Sequence, residues 1–393
     1  MTASDFIPFA LPDIGDAEID AVVSTMRSGW LTTGPNAAAL EKEFIAGFEP
    51  ERFPAGAEAT GVAVNSATSG LHLALEAIGV GAGDEVIVPT WTFTATAEVV
   101  RYLGATPIIV DVDPQTFNLD LAAASAAVTE RTKAVMPVHF AGLPVDREAL
   151  ASFARAHQIK VVEDAAHAHP VLSQGIPVGL GESDAVVFSF YATKTMTTGE
   201  GGMVVTADPA LAARMRTMRL HGISRDVFDR YTSTAPSWHY EVVAPGYKYN
   251  LPDLAAAMGR VQLGRAGEMR ARRAAIADRY DAAFADLPVS RPARPADDGT
   301  EHAWHLYVLR LTDDAPVARD RFIELMAQAG VGTSVHFIPL HHHPYWRDLR
   351  GPDAPALPVA DDLFTRAVSL PIWSAMSDDQ VDRVIAAVSA TLR

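Results

Sequence analysis

The chain has 393 residues, a hydrophobic fraction of 49%, a net charge of -16 and no cysteine, and its pI is near 5.2. Its length suits two domains, the lack of cysteine excludes disulfides and cysteine-ligated metal sites, and its acidity argues against nucleic acid or an anionic membrane as a partner. Without a signal-peptide pattern or an apolar run of about 18 residues, we expect a cytoplasmic protein.

Apolar runs alternate with helical patterns through the first two-thirds of the chain. A helix is predicted over residues 13–26, outside the main sheet, and the apolar spacing from Leu71 to Ile78 predicts another. Short apolar runs predict strands over residues 61–64, 85–88, 107–110, 133–136, 160–162, 185–188 and 203–205. Such strands, separated by helices, indicate an α/β protein with a mainly parallel sheet covered on both faces.

The sequence pattern changes after residue 263. Residues 265–279 form a charged helical stretch, which we interpret as a solvated face or an oligomer contact. Residues 288–295 are rich in proline and indicate a domain junction, beyond which strands are predicted over 304–311 and 332–337. We therefore expect a large domain over residues 1–265 and a smaller α/β domain over residues 266–393.

Lys194 follows the strand predicted over residues 185–188 and precedes a turn of small residues, 198–202. A lysine at a strand end beside such a turn is poorly hydrated, and desolvation lowers the pKa of an amine. Because the uncharged amine attacks carbonyl groups, Lys194 is a candidate Schiff-base lysine. The competing interpretation is an ordinary surface lysine in a loop.

Three other segments follow predicted strands. Asp164 lies at the edge where α/β folds place their ligands, so its carboxylate either holds a protonated ring nitrogen or caps a helix. Residues 65–70 place small hydroxyl side chains at a helix start, which suits a phosphate or an ordinary N-cap. Phe93 either stacks on a planar cofactor or packs in the core.

Two further patterns suggest ligands that we do not expect. Residues 79–83 are rich in glycine, but they follow a helix and precede a strand, the reverse of a dinucleotide site. The histidines near the C-terminus suggest a metal, but no carboxylates at ligand spacing accompany them, so no metal is predicted. These histidines are His336, His341, His342 and His343.

Several motifs occur in order along nearly the whole chain: residues 28–35, 67–75, 163–167, 189–202, 302–307 and 332–336. Together they resemble the sugar aminotransferases of the DegT/StrS type, and residues 189–202 are the most specific part. The resemblance implies an aspartate-aminotransferase-like fold (PLP fold type I), the cofactor pyridoxal 5′-phosphate (PLP), and a homodimer with each site at the subunit interface.

The resemblance also implies roles for individual residues. Lys194 would bind the aldehyde of PLP covalently, and Asp164 would pair with the pyridine nitrogen. Phe93 would stack on the ring, and His167 would lie near it. The phosphate ligands would be Thr68, Ser69 and Ser189.

One segment departs from the family pattern. Where a loop reaches into the neighbouring subunit's site, the family often has Gly-aromatic-Asn-x-Arg. This chain instead has Lys248 at the Asn position and Asn250 at the Arg position. A lysine can meet a phosphate as a point charge, so either residue is a candidate phosphate ligand. The variant resembles the branch that acts on 4-keto nucleotide sugars.

By resemblance, the activity is transfer of an amino group from an amino acid, most often L-glutamate, to a keto sugar on a nucleoside diphosphate. Candidates for binding the diphosphate are Lys248, Arg225 and His336. A dehydratase of the same family would replace Lys194 with histidine, and a non-catalytic regulator would lose Asp164 or Lys194, whereas both residues are present. An aminotransferase for an aminocyclitol ketone stays open.

Overall fold

The computed structural model describes residues 6–48, 58–223 and 240–393, so Arg225 lies outside the described residues. The helices are α1 (Asp16–Ser28), α2 (Pro35–Ala46), α3 (Ala67–Ala77), α4 (Ala95–Tyr102), α5 (Leu121–Ala126), α6 (Arg147–His157), α7 (Pro209–Met218), α8 (Asp253–Ala283), α9 (Arg319–Gln328), α10 (Pro344–Arg350), α11 (Pro358–Arg366) and α12 (Asp378–Leu392). The strands are β1 (Thr60–Val64), β2 (Glu85–Pro89), β3 (Thr106–Val110), β4 (Thr132–Val135), β5 (Lys160–Asp164), β6 (Leu172–Ser173), β7 (Ile176–Pro177), β8 (Ala185–Ser189), β9 (Gly202–Thr206), β10 (Val289–Ser290), β11 (Tyr307–Leu311) and β12 (Ala367–Leu370).

The large sheet of the described chain has seven strands in the order β1-β9-β8-β5-β4-β2-β3. Strands β8, β5, β4, β2 and β3 run parallel, and β9 is antiparallel to both of its neighbours. Val187 and Val204 pack into the apolar cluster on one face, while Val186 and Val205 pack into the cluster on the other. Burial on both faces explains the continuous apolar runs, and the predicted mainly parallel sheet is confirmed.

The second sheet is antiparallel, in the order β10-β11-β12. The strand predicted over residues 332–337 is wrong, because only Ser334 forms a bridge there, with Ser369 of β12. The segment then turns towards the large sheet, where the Trp91 indole donates a hydrogen bond to the His336 carbonyl (2.9 Å). β11 begins later than predicted, since Trp304 adopts φ +50° and interrupts the extended backbone.

Helix α8 is 31 residues long and runs through position 265, where the boundary between the two domains is expected. Its charged stretch is not wholly solvated, because Met269, Arg273 and Ile276 are buried. Helix α1 packs against α8 outside the sheet, as predicted: Gln262 and Arg265 donate hydrogen bonds to Glu18 (2.7 and 2.8 Å). Within the described residues, no helix is both long and apolar enough to cross a membrane.

The first residue of α8 caps a different helix. The buried Asp253 carboxylate accepts hydrogen bonds from the backbone N–H groups of Gly34 (2.8 Å), Asn36 (3.0 Å) and Ala37 (3.0 Å). These N–H groups belong to the start of α2, which has no partners for them within the helix. Asp253 therefore fastens the N-terminal segment of the chain to α8.

We expect the substitution Asp253→Ala to lower the free energy of unfolding by about 3 kcal/mol, because it leaves three backbone donors at the α2 start without a partner. Urea denaturation of the two proteins measures the difference. The control is Asp286→Ala at an exposed position, which should change stability by less than about 0.5 kcal/mol. Equal losses in the two variants would contradict the capping role.

Candidate active site

The predicted site forms at the edge of the large sheet where parallel strands end. Strands β5 and β8 are neighbours, so Asp164 at the end of β5 and the turn after β8 meet at one edge. The turn that carries Lys194 closes on itself, since the N–H of Thr198 donates to the Phe190 carbonyl (2.9 Å) and that of Lys194 to the Tyr191 carbonyl (3.0 Å). Gly199 adopts φ +79°, a conformation that side chains disfavour.

Lys194 is the amine of the site. Burial lowers its pKa to about 8, Asp164 acts in the opposite direction, and the positive charge of Arg273 lowers it further. At pH 7 about a tenth of this amine is therefore uncharged, which is several hundred times the fraction of about 0.0004 expected for an ordinary lysine. Burial of the Lys194 amine is therefore the main cause of its lowered pKa, and the sequence predicts this desolvation.

Asp164 is buried and held on both carboxylate oxygens. The Thr96 hydroxyl donates to Oδ2 (2.9 Å), and the Ala166 N–H donates to Oδ1 (3.1 Å). Burial raises the pKa of Asp164, while Thr96, Ala166 and Lys194 counteract that rise. Thr92 in turn shares a hydrogen bond with Thr96 (2.8 Å), so a chain of hydroxyl groups orients the carboxylate. Nothing in the sequence pattern singled out Thr96, because it lies 68 residues away from Asp164.

Three histidines lie close enough to Lys194 for its charge to act on them. The ring of His167 lies 4.3 Å from that of His305 and stacks against Phe337 at 5.9 Å. Burial and then the charge of Lys194 lower the pKa of His167 and of His305 well below 6.5. The same two causes lower the pKa of His336 to about 4. All three rings are therefore neutral at physiological pH and do not compete with Lys194 as cations.

His305 had no role assigned from the sequence. It lies within residues 302–307, one of the motifs that carry the family resemblance, and this motif is the sequence feature from which His305 could have been found. The buried Arg273 guanidinium donates to the carbonyls of Trp304 (3.3 Å), His305 (3.4 Å) and Ile372 (2.8 Å). Arg273 thereby positions the backbone that carries His305.

The start of α3, which is the candidate anion site, lies beside this edge. The Ser66 hydroxyl caps the helix by accepting from the Ser69 N–H (3.1 Å), and the Ser69 hydroxyl donates to Asn65 Oδ1 (2.6 Å). A Cβ at Gly202 would lie 2.7 Å from the Phe188 carbonyl and 3.0 Å from the Ala67 nitrogen. Only glycine therefore allows the β8 end, with Ser189, to approach the first turn of α3, with Thr68 and Ser69.

The two aromatic residues after β2 have different surroundings. Trp91 is fully buried in the core. Phe93 is 59% exposed and lies 6.0 Å from the Phe337 ring, so it does not pack in the core. Phe93 remains the candidate for stacking on a planar ring.

Lys248 and Asn250 have opposite environments. Asn250 is buried, and its side-chain amide donates to the Thr33 hydroxyl (2.7 Å). Lys248 is exposed, while Tyr247 and Tyr249 on either side of it stack on each other (4.9 Å) and pack against His72. Lys248 therefore has an exposed, charged side chain, whereas the uncharged Asn250 is engaged within its own chain.

These groups fit the chemistry of PLP. Lys194 offers a nucleophilic amine to an aldehyde, Asp164 offers an anion to a protonated ring nitrogen, and the α3 start with Ser189 offers donors to a phosphate. The amine, the carboxylate and the donors belong to one edge of one sheet, as the sequence motifs predicted.

In the cofactor-free chain, we expect acetylation of Lys194 to rise with pH through a midpoint near 8, because the uncharged amine fraction grows as pH passes its pKa. Peptide mapping by mass spectrometry across a pH series measures that midpoint. The exposed Lys42 provides a reference in the same sample. A midpoint near the ordinary lysine value of about 10.4 would contradict the desolvated environment.

Comparisons with known proteins agree with this chemistry. Residues 12–389 match the profile of the DegT/DnrJ/EryC1/StrS aminotransferase family. The chain is 47% identical over 386 residues to the spore coat polysaccharide biosynthesis protein SpsC of Bacillus subtilis, covering 98% of this chain and 96% of SpsC.

Solved structures give the same result. The putative sugar aminotransferase Spr1654 of Streptococcus pneumoniae, in its PMP form, superposes with a TM-score of 0.88 at 35% identity, covering 98% of both chains. Its PLP form matches with a TM-score of 0.87 at 35% identity, covering 99% of this chain and 100% of that one. Helicobacter pylori PseC, an aminotransferase involved in the biosynthesis of pseudoaminic acid, has a TM-score of 0.87 at 26% identity, covering 98% of this chain and 99% of PseC.

The predicted aspartate-aminotransferase-like fold, PLP as cofactor and transamination as the reaction are thereby confirmed. The chain belongs to the DegT/DnrJ/EryC1/StrS aminotransferase family and is a PLP-dependent sugar aminotransferase.

Proposed function

We propose that the enzyme transfers the amino group of L-glutamate to a 4-keto sugar carried by a nucleoside diphosphate, and that it acts as a cytoplasmic homodimer. The observation that carries this proposal is the meeting of Lys194, Asp164 and the α3 start at one sheet edge, beside an exposed Lys248. The similarity to Spr1654, a putative sugar aminotransferase, and to SpsC, a spore coat polysaccharide biosynthesis protein, supports a sugar as the amino acceptor.

In this proposal, PLP supplies the aldehyde that takes up the amino group and a ring that accepts electrons. Asp164 would hold the ring nitrogen in its protonated form, and the hydrogen bond from Thr96 orients the carboxylate and favours its ionised form. Thr68, Ser69 and Ser189 would hold the phosphate. The Lys194 Nζ would remove the proton from the α-carbon of the bound amino acid, because a pKa of about 8 makes this amine an effective base.

The neutral histidines suit a keto-sugar substrate. His167 lies next to the lysine turn and offers a hydrogen bond to an oxygen without adding charge. His336, held by the Ser369 hydroxyl (3.1 Å) and stacked on Phe9 (4.9 Å), presents its other ring nitrogen as a substrate contact. Arg225 stays a candidate for the diphosphate on the strength of the sequence.

The exposure of Lys248 supports a shared site. The Asn250 amide is already engaged by Thr33 of its own chain, whereas the Lys248 ammonium has an exposed position. Two large aromatic side chains near the site, Phe93 and Tyr191, are exposed in the single chain. Val242 and Val243, which precede Lys248 in the sequence, are exposed as well. A second subunit that covers these side chains would bring Lys248 of the partner subunit to the phosphate.

We expect the enzyme to produce 2-oxoglutarate from L-glutamate when a nucleoside-diphosphate 4-keto sugar is supplied, and Lys194→Ala to reduce turnover by at least about a thousandfold. UDP or dTDP should compete with the sugar, since the diphosphate contributes to binding. Coupled detection of 2-oxoglutarate measures both effects, and Lys42→Ala at an exposed position is the control.

Turnover of an aminocyclitol ketone with no inhibition by either nucleotide would overturn the proposed acceptor. Normal turnover by Lys194→Ala would overturn the role of the lysine.

We expect a hybrid dimer of one Lys194→Ala subunit and one Lys248→Ala subunit to have about half of the wild-type activity, because one of its two sites keeps both lysines intact. Coexpression with two affinity tags isolates the hybrid, and each parent homodimer should be inactive or nearly so. The matched control combines Lys194→Ala with Asp164→Asn, which should restore nothing because both residues serve the site of their own subunit. A Lys248 hybrid as inactive as its parents would contradict the shared site.

A further inference from the structure

Two adjacent histidines and an aspartate meet on the outer side of the segment that carries His336. Residues Leu340–His342 form a short turn, anchored by the Leu340 N–H, which donates to the Thr90 carbonyl at the end of β2 (2.8 Å). Helix α11 places Asp361 directly against this turn. The aspartate lies 20 residues from His341 along the chain, which is why the sequence offered no carboxylate at ligand spacing.

The three side chains converge on one point. Nε2 of His341 lies 2.9 Å from Asp361 Oδ1, and Nε2 of His342 lies 2.7 Å from the same oxygen. One ligand atom from each residue lies within 4.8 Å of the others. Ligands bound to Zn²⁺ at about 2.0–2.1 Å in a tetrahedron are about 3.3 Å apart, so each of the two His–Asp distances would widen by about half an ångström around the ion.

The groups behind the cluster fit metal binding. The Thr90 hydroxyl lies 2.7 Å from Nδ1 of His341, so it orients the ring and leaves Nε2 as the ligand atom. The His342 ring is held edge-on by Phe364 at 5.0 Å. Asp361 is 51% exposed on its side chain, which gives an ion access from solvent and leaves a position for water.

The local charge is negative. Arg350 lies close enough to interact with Asp361, but it also faces Asp111, so the two carboxylates exceed the single guanidinium.

We propose that His341, His342 and Asp361 form a binding site for a divalent transition-metal ion, for which Zn²⁺ is the best fit. Two imidazole nitrogens and one carboxylate oxygen suit Zn²⁺ better than Mg²⁺ or Ca²⁺, which prefer oxygen ligands. The ion fastens α11 to the turn that follows His336 and Phe337. The site lies outside the group of residues that act with PLP, and it does not depend on the proposed sugar substrate.

Calorimetric titration of the full-length, PLP-loaded enzyme with Zn²⁺, after treatment with EDTA, tests the proposal. We expect about one ion per chain, bound with micromolar or tighter affinity, and a Zn²⁺-dependent rise in melting temperature. The variants His342→Ala and Asp361→Asn should each weaken binding by at least about tenfold, and Thr90→Val by about 10–100-fold through the orientation of His341.

The matched control is His343→Ala, a neighbouring histidine that lies outside the cluster and makes no side-chain cap on α10. It should bind Zn²⁺ like the wild type. The proposal is overturned if the wild type takes up no Zn²⁺, or if His342→Ala and Asp361→Asn bind it as tightly as His343→Ala does.

X-ray absorption at the zinc edge of the wild type keeps the test independent of variant folding. We expect nitrogen and oxygen ligands at about 2.0–2.1 Å with the multiple-scattering signature of two imidazoles. A spectrum without imidazole would equally reject the site.

Discussion

The burial of one amine beside one carboxylate, at the ends of neighbouring parallel strands, is the constraint on which the site depends. Burial alone would drive Lys194 towards its neutral form and Asp164 towards its protonated form. Each group opposes this tendency in the other, and Thr96 adds a hydrogen bond that favours the carboxylate. The result is a lysine ready to react as an amine and an aspartate still able to bind a cation, which transamination requires together.

Much of this arrangement could be predicted from the chain. The continuous apolar runs of β5 and β8 indicate buried parallel strands, and parallel strands end at the same edge of a sheet. The positions of Asp164 and Lys194 after these strands therefore predict that the two residues lie at one edge. Residues whose role depends on contacts between distant segments could not be found in this way. Thr96 reaches Asp164 from a helix start, and Asp361 reaches His341 from another helix, and neither contact has a fixed spacing.

The strand wrongly predicted over residues 332–337 failed for a related reason. Its sequence suits an extended backbone, and Ser334 does pair with Ser369. Hydrogen bonds to the large-sheet domain then end the extended pairing. The Trp91 indole donates to the His336 carbonyl, and the Leu340 N–H donates to the Thr90 carbonyl. These tertiary contacts override the strand propensity of residues 332–337 and place His336 and Phe337 beside the lysine turn.

Helix α8 has a consequence for how such a protein can diversify. Its 31 residues span about 46 Å, with Asp253 capping α2 at one end and Tyr280 in the core of the smaller sheet at the other. A recombination crossover between two relatives inside α8 would leave each half of the helix on the core of its own parent, whereas a crossover beyond Ala283 would set Ile276 and Tyr280 of one parent against the smaller sheet of the other. Exchange of the smaller sheet between relatives is therefore expected to succeed best when the C-terminal half of α8 moves with it, because Ile276 and Tyr280 belong to the core of that sheet.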